Sequence, residues 1–432
     1  AAGLMLASTD RPSSRRVVMA ASLVFNLGVL GFFKYWNFFA ENVRVLFAAV
    51  GWHADPFTLT VLLPIGISFY TFMTISYVID VFRREIGPTR SLLDFGVFVA
   101  YFPHLVAGPI LRASLLLPQI AAPRTITAEQ LAEGSWLVLW GYFKKIYVAD
   151  NLAHVTNRVF GGSAEPTGFD IALGTIAFAF QIYGDFSGYS DIARGTSKCL
   201  GIELNVNFRF PYFVRTPQDF WAHWHISLST WLRDYLFLPL SYAFSRRFDG
   251  VRGLGFGEDF WVYAAATTVT MVLGGLWHGA AWNFVCWGAY QALLLIVFRA
   301  WALRRRTRRR RGHFGSGAFG FRDIPAALGM FALTCYGWLI FRASTLAHLG
   351  SLTTRLFTGF EPTLASALQF GLPIVAYAGP LLLVHGLEAR ASDLDLVRRW
   401  RPAVRYSVYV ALGYLIVLFG DFEGSEFIYF QF

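Results

Sequence analysis

The sequence has little charge and very little cysteine. Charged residues make up 15% of the 432 residues, against roughly 25% in an ordinary soluble domain. The chain therefore lacks the polar surface that a soluble protein of this length needs. Its three cysteines, Cys199, Cys286 and Cys335, show no CxxC or paired spacing, which excludes a disulfide scaffold and offers no thiolate metal site.

Apolar residues take the place of the missing charge. They account for 55% of the chain, and 43 residues are phenylalanine. Apolar runs near 20 residues are long enough to cross a bilayer as helices. The sequence therefore predicts an all-α polytopic membrane protein, a single transmembrane domain over residues 1–432. The predicted spans lie at about 17–40, 57–82, 92–110, 131–150, 168–187, 259–276, 280–302, 324–343, 366–386 and 403–420.

Prolines and glycines interrupt two of these runs. Pro64 and Gly66 break the second run, and Pro103 and Pro109 break the third. Broken helices are tolerated at membrane depth where protein or a water-filled cavity satisfies the freed backbone groups. We therefore expect re-entrant helices around an internal cavity.

The net charge of +10 is concentrated in one arginine run. Seven arginines lie within residues 304–311, interrupted only by Thr307. Such a run can bind nucleic acid, but short basic loops between apolar spans usually set topology and face the cytoplasm and anionic lipid. We therefore predict a basic cytoplasmic loop at 303–322, contact with membrane lipid and no nucleic-acid partner. This orientation places residues 190–258 on the cytoplasmic side, with 219–244 in the interface or dipping into the cavity.

Histidine in apolar surroundings is a functional candidate, because an ionisable group within a membrane is costly. His278 lies in GGLWHGAAW, residues 274–282, where glycines allow close backbone approach and Trp277 can line a pocket. A desolvated imidazole has a lowered pKa and is available as a neutral general base. The alternative is a hydrogen-bonded histidine at a helix junction.

A second histidine lies in AHWHISLSTWLRDY, residues 222–235. We expect His225 and Ser229 to share a helix face, since they are four residues apart, with Trp224 among the aromatic residues beside them. The pair His223 and His225 has the HxH spacing of some metal sites, but residues two apart point away from each other on a helix. No metal site is predicted.

The third candidate cluster is QIYGDFSGYSDIARG, residues 181–195. Its spacing places polar side chains in i,i+4 pairs and two glycines on one face for tight helix packing. Two roles stay open for these polar residues: they line a substrate path, or they form structural hydrogen bonds. The pairs are Tyr183 with Ser187, Asp185 with Tyr189, and Gly184 with Gly188.

Taken together, these motifs resemble the membrane-bound O-acyltransferase family. The resemblance is to the bacterial branch that holds the alginate O-acetylation membrane protein and the D-alanyl transfer protein of teichoic acid, and it is closer to the former. Six stretches carry it in order along the chain. They are 64–85, 102–112, 181–195, 220–240, 275–291 and the terminal FIYFQF at 427–432.

The resemblance implies a multi-span helical fold with a central tunnel. By this resemblance, His278 is the catalytic histidine of the family's WHG motif. His225 corresponds to the second histidine, which lies in the family's WH-S-WLRDY segment. Relatives begin with one or two further apolar segments, so the chain is expected either to lack N-terminal spans or to be a short member of the family. Tyr183, Asp185, Ser187, Tyr189, Trp224, Ser229, Arg233 and Trp277 are expected to line the substrate path.

The implied activity is O-acyl transfer in the bacterial inner membrane. Acetyl-CoA is the expected donor, acting as a substrate, and no bound cofactor or metal is expected. The acetyl group would pass through the tunnel to an extracytoplasmic acceptor for alginate-like exopolysaccharide, with a separate extracytoplasmic acyltransferase as partner. D-alanyl or other acyl transfer to a cell-wall polymer is one alternative, and a secondary transporter with broken helices is another.

Overall fold

The computed structural model describes residues 1–52, 58–162, 165–306, 319–423 and 427–428. Within these ranges the chain is helical and forms no β-strand beyond one isolated bridge between Gly253 and Phe256. The predicted all-α class is confirmed. Backbone proximity divides the chain into two compact units, Ala1–Ser135 with Ala193–Asn205, and Trp136–Ile192 with Val206–Phe432. The assignment of the whole chain to a single transmembrane domain stays a prediction.

In the part of the chain that the structure describes, the first unit contains six α-helices, the start of a seventh and the last turns of the helix Gly168–Cys199. A π-helical turn, Gly31–Tyr35, joins the second helix to the third, so that residues 12–49 form one apolar rod. The helices are α1 (Ala2–Ala7), α2 (Pro12–Leu30), α3 (Trp36–Ala49), α4 (Ile67–Arg83), α5 (Leu92–Ala100), α6 (Ala113–Ala121) and α7 (Ala128–Tyr142).

A buried arginine secures α4 against α2. Arg15, on α2, is 8% exposed, and its guanidinium donates to the main-chain carbonyls of Val81 at 3.2 Å and Phe82 at 2.8 Å. These carbonyls lie in the last turn of α4, where helices leave acceptors unsatisfied. The cation also complements the negative end of the helix dipole. This arginine therefore supplies a C-terminal cap from another helix.

The second unit is built around α9 (Gly168–Cys199), of which Gly168–Ile192 belong to it. A π-helical segment, Phe143–Asp150, follows α7, and a shorter one, Arg233–Phe237, follows α11. The other helices are α8 (Asn151–Gly161), α10 (Pro217–His223), α11 (Ile226–Leu232), α12 (Leu238–Arg247), α13 (Glu258–His278), α14 (Trp282–Arg306), α15 (Ile324–Arg342), α16 (Leu346–Thr358), α17 (Leu364–Ser366), α18 (Leu372–Ala391) and α19 (Pro402–Phe419).

Six helical stretches of the described chain are long and apolar enough to cross a membrane. They match six of the ten predicted runs and confirm a multi-pass membrane protein. Among the remaining runs, 57–82 is helical only from Ile67 and 92–110 only to Ala100, because the prolines and glycines end the helices early. The six stretches are Pro12–Ala49, Glu258–His278, Trp282–Arg305, Phe321–Arg342, Leu364–Ala391 and Pro402–Phe419.

Small residues allow close packing in the second unit, as the sequence predicts for α9. A methyl group on Gly184 would lie 2.8 Å from the Lys144 carbonyl oxygen, and one on Gly188 would lie 2.8 Å from the Gly141 carbonyl oxygen. Side chains at these positions would force the helices apart. The predicted glycine face is therefore confirmed as a packing surface.

Glycines also bring α13 and α14 together as a hairpin. A methyl group on Gly275 would collide with the Phe284 carbonyl oxygen, and one on Gly288 would collide with the Met271 carbonyl oxygen. The hairpin turn directly follows His278, which is the last residue of α13. The helix pair therefore fixes the position of this imidazole. Of the predicted basic loop at 303–322, residues 307–318 lie outside the described residues.

Candidate functional site

His278 lies in an aromatic pocket at the end of α13. Its side chain is buried, with the residue 7% exposed. Its ring centroid is 5.0 Å from that of Trp277, 5.1 Å from Trp287 and 5.5 Å from Phe341. The planes of all three rings are nearly perpendicular to that of the imidazole, at interplanar angles of 75–84°. Such edge-to-face contacts hold the imidazole in a defined orientation.

His225 occupies the break between α10 and α11. Its backbone is in the left-handed region, with φ 41° and ψ 55°, which is strained for a residue with a side chain. The expectation that His225 and Ser229 share a helix face is therefore wrong, because α11 begins only at Ile226. The break turns the imidazole into the second unit, where the residue is 0% exposed. Strain of this kind is often found at functional sites.

The structure brings the two predicted catalytic histidines to one tryptophan. The Trp277 ring centroid is 5.0 Å from His278 and 6.3 Å from His225. His225 also lies against Phe186 at 4.6 Å and Phe208 at 6.3 Å. Two motifs that are distant in sequence thus form one buried aromatic site with two imidazoles. Segment 219–244 therefore reaches the far end of α13, about 30 Å along the helix from Glu258 at 1.5 Å per residue. Whether it lies in the interface or dips into the cavity stays a prediction.

An asparagine that sequence reasoning missed holds His225. The Nδ1 atom of His225 lies 3.2 Å from Asn207 Oδ1, and the same oxygen accepts from the Ser227 backbone N–H at 3.2 Å and from Ser227 Oγ at 2.9 Å. His225 Nε2 is buried and has no hydrogen-bond partner within the described part of the chain. Burial, and secondarily the neighbouring His278, lower the pKa of His225 well below its usual value. The imidazole is therefore neutral at physiological pH.

Tyr183 belongs to a second buried chain of hydrogen bonds. Its hydroxyl lies 2.9 Å from His385 Nε2, and His385 Nδ1 lies 2.8 Å from a carboxylate oxygen of Glu388. Tyr183 and His385 also line a small cavity of about 10 Å³, room for about one water molecule. Sequence reasoning assigned no role to His385 or Glu388. An i,i+3 pair of ionisable residues within an apolar span was the signal that could have found them.

Ser187 lies beside a buried ion pair that sequence reasoning also missed. Lys144, whose side chain is 2% exposed, donates to the Ser187 carbonyl oxygen at 3.1 Å and pairs with Asp191 at 2.6 Å. Its ammonium is 5.9 Å from the ring centroids of both Trp140 and Tyr183, within reach of a cation–π attraction. A positive charge is therefore held next to the predicted lining residues.

Asp185 and Tyr189 face the C-terminal segment. Asp185 pairs with Lys145 at 2.8 Å, and its other carboxylate oxygen accepts from the Ile428 backbone N–H at 2.7 Å. The Tyr189 ring is 5.4 Å from that of Phe427. These contacts anchor the start of the terminal motif, of which residues 429–432 lie outside the described residues.

The other predicted lining residues divide between the aromatic core and the surface. Trp224 is 3% exposed and lies 4.8 Å from the Trp338 ring, while Ser229 Oγ donates to the Trp224 carbonyl oxygen at 3.1 Å. The Arg233 side chain is 59% exposed and pairs with Asp234 at 2.7 Å. The structure therefore places Trp224 near Tyr183, at 6.2 Å between ring centroids, and leaves Arg233 at the surface.

The two histidines of the HxH pair have different hydrogen-bond partners. His223 Nδ1 lies 2.7 Å from the Asp219 carbonyl oxygen, one turn back along α10, whereas His225 faces Asn207. The described residues hold no group of three or more histidine, cysteine or acidic side chains placed to bind one ion.

Comparisons with known proteins show which family and which proteins this chain is similar to. A family model described as MBOAT, membrane-bound O-acyltransferase family, matches residues 58–336. The protein named "Probable alginate O-acetylase AlgI" of Pseudomonas putida is 40% identical over 400 residues, covering 91% of this chain and 74% of that protein. Its counterpart in Azotobacter vinelandii is 38% identical over 386 residues, covering 88% and 71%. The "Peptidoglycan O-acetyltransferase" of Helicobacter pylori is 31% identical over 369 residues, covering 79% and 65%.

Proposed function

Because the chain belongs to the membrane-bound O-acyltransferase family and is a membrane O-acyltransferase, we propose that it moves an acetyl group from cytoplasmic acetyl-CoA to an extracytoplasmic acceptor for exopolysaccharide. The observation that carries the proposal is the shared pocket of His278 and His225, which meet at Trp277. An acyltransferase needs a neutral base beside a site where thioester and alcohol can meet. A buried two-histidine pocket supplies that base.

In the proposed mechanism His278 removes the proton from an acceptor hydroxyl. The oxygen attacks the thioester carbonyl carbon, the carbon–sulfur bond breaks, and the coenzyme A thiolate takes the proton from His278. General-base help of this kind contributes roughly 10²–10⁴-fold. Holding both reactants in a confined path adds a proximity contribution.

His225 assists the donor in this mechanism, either by orienting it or by polarising its carbonyl. Tyr183, Asp185, Ser187, Tyr189, Trp224, Ser229 and Trp277 are proposed to line the path. Arg233, whose side chain is 59% exposed, is proposed to meet the phosphates of coenzyme A. The central tunnel that connects the two sides stays a prediction.

The proposed acceptor is alginate or a similar exopolysaccharide. Support comes from relatives named alginate O-acetylase at 38–40% identity, ahead of the peptidoglycan O-acetyltransferase at 31%. D-alanyl transfer is not favoured, since these relatives are named for acetyl transfer. We propose that the protein resides in the bacterial inner membrane and hands the acetyl group to a separate extracytoplasmic acyltransferase.

Acetyl-CoA labelled in the acetyl group tests the proposal. Membrane vesicles containing the protein, the partner transferase and polysaccharide should release free coenzyme A and place label in ester linkage on the polymer. A secondary transporter would leave the thioester intact, and that result would overturn the proposal. A parallel assay with a labelled D-alanyl donor and a cell-wall polymer tests the alternative, which transfer of alanyl in the absence of acetyl transfer would favour.

A further inference from the structure

The partners of His225 determine where its ring proton lies. The Ser227 backbone N–H can only donate, so the Asn207 side-chain atom 3.2 Å from it is the oxygen. His225 Nδ1 lies 3.2 Å from that same oxygen. A carbonyl oxygen has no proton to give. The Ser227 hydroxyl, 3.4 Å from Nδ1, gives its one proton to the Asn207 oxygen at 2.9 Å, so Nδ1 carries the hydrogen. In the neutral ring, Nε2 is then left with a bare lone pair.

Asn207 is held on all sides, so its amide cannot turn over. Its Nδ2 donates to Ser190 Oγ on α9 at 3.3 Å, and its main-chain carbonyl accepts from the Ile226 N–H at 2.9 Å. Asn207 is 1% exposed and His225 is 0% exposed, so no solvent competes for these bonds. Rotating the amide would bring its NH₂ group against the Ser227 N–H, where two donors would face each other.

We propose that Asn207 is a positioning residue that holds His225 in the Nδ1–H tautomer, so that Nε2 accepts a hydrogen bond from the amide N–H of the donor's pantetheine arm. The identity of that donor rests on the proposed function. This tautomer decides between the two roles left open for His225, which are orienting the donor and polarising its carbonyl. A bare Nε2 cannot donate to a thioester carbonyl oxygen, so His225 orients the donor and does not polarise it.

Nuclear magnetic resonance tests the tautomer without any substrate. The full chain, labelled with ¹⁵N-histidine and placed in lipid nanodiscs, should show for His225 a protonated Nδ1 and an unprotonated Nε2 at pH 7. The His225 signals are those lost in His225→Gln. A protonated Nε2, or an imidazolium at pH 7, would overturn the proposal. This readout stands whether or not acetyl-CoA proves to be the donor.

Charge at Asn207 provides the second test. In Asn207→Asp the carboxylate keeps the three hydrogen bonds but adds a negative charge, which should raise the pKa of His225 by about one to three pH units. The titratable group of the described chain that faces His225 is His278 on α13, and it is unchanged in this variant. Asn157→Asp is the matched control, because Asn157 is exposed and its Oδ1 accepts from Arg342.

The pH dependence of kcat/KM for acetyl-CoA distinguishes whether His225 Nε2 accepts or donates a hydrogen bond. The acidic limb of kcat/KM should move upward in Asn207→Asp with the titration seen by resonance, and stay in place in Asn157→Asp. Asn207→Ala should lower kcat/KM at pH 7 by roughly 10- to 100-fold through misplacement of the ring, with the loss mainly in KM for acetyl-CoA. Equal or higher activity of Asn207→Asp at acidic pH would mean that Nε2 donates, and would overturn the proposal.

These experiments distinguish a variant that fails to fold from a failure of the proposed function. If Asn207→Ala does not fold, Asn207→Asp and the wild-type resonances still decide the tautomer. If the wild-type protein transfers nothing from acetyl-CoA, the proposed donor is wrong, and an unprotonated Nε2 would still support the positioning role. A normal tautomer in Asn207→Ala would overturn that role.

Discussion

Replacing Asp191 with asparagine removes the counter-charge of a lysine that is almost completely buried. The Lys144 and Asp191 side chains are 2% and 17% exposed, and their charged atoms lie 2.6 Å apart. At an effective dielectric constant of about 20, the attraction at this distance is about 6 kcal/mol. Desolvation of both groups offsets part of it. Removing one partner of such a pair costs about 3–5 kcal/mol, because the other charge stays buried.

We therefore expect Asp191→Asn to lower the free energy of unfolding by about 3–5 kcal/mol. The double variant Lys144→Met with Asp191→Leu should recover most of this loss, since apolar side chains of similar size carry no desolvation cost. Equilibrium unfolding in mixed SDS micelles, followed by tryptophan fluorescence, measures both.

The matched control is Glu41→Gln, which breaks the exposed Glu41–Arg44 pair. It should leave the free energy of unfolding almost unchanged, because solvent screens this pair. A cost for Asp191→Asn as small as that of the surface control would refute the reasoning. So would a double variant whose loss is the sum of the losses measured for Lys144→Met alone and Asp191→Leu alone, because additivity would mean that the charges do not interact.

Three other predictions concern packing, the hydrogen-bond chain and pH. Gly275→Val should destabilise the α13–α14 hairpin by about 1–3 kcal/mol or more, since its side chain meets the Phe284 carbonyl oxygen, and a thermal-unfolding assay that finds no loss would contradict this. His385→Leu leaves the Tyr183 hydroxyl buried without its present partner and should cost about 1–3 kcal/mol. Adding Tyr183→Phe should restore part of that stability in the same assay. Because the folded pKa of His225 is lowered, the unfolded chain binds the proton more readily as the pH falls below about 6.5. Stability should therefore decline from pH 6.5 to 5 in the wild type and less in His225→Gln, and parallel curves would contradict the prediction.

Local patterns were sufficient to predict six membrane-length helices and to single out His278 and His225 as candidate residues, whose catalytic role stays a prediction. Apolar runs of membrane length predicted α13 and α14. The glycines around His278 predicted that this residue lies where two helices pack closely. The runs interrupted by Pro64 and Pro103 were predicted as spans, but the helices end at these breaks. A count of apolar residues cannot show whether a broken run continues as helix on both sides.

Contacts between distant parts of the chain could not be predicted. Tyr183 and His385 are 202 residues apart in sequence, and no local pattern pairs them. Asn207 lies in an irregular segment without periodicity, so its bond to His225 has no sequence signal. The left-handed backbone at His225 was also unexpected, since the surrounding residues favour a continuous helix and the tertiary packing overrides that preference.

The most direct test of the central claim compares His278→Ala with His154→Ala at equal membrane abundance. His154 has an exposed side chain paired with Asp421, so it controls for the loss of an imidazole. With labelled acetyl-CoA, partner transferase and polysaccharide, His278→Ala should lose at least about 100-fold of the transfer rate, while His154→Ala keeps the wild-type rate. Near-normal acetyl transfer by His278→Ala would contradict the account.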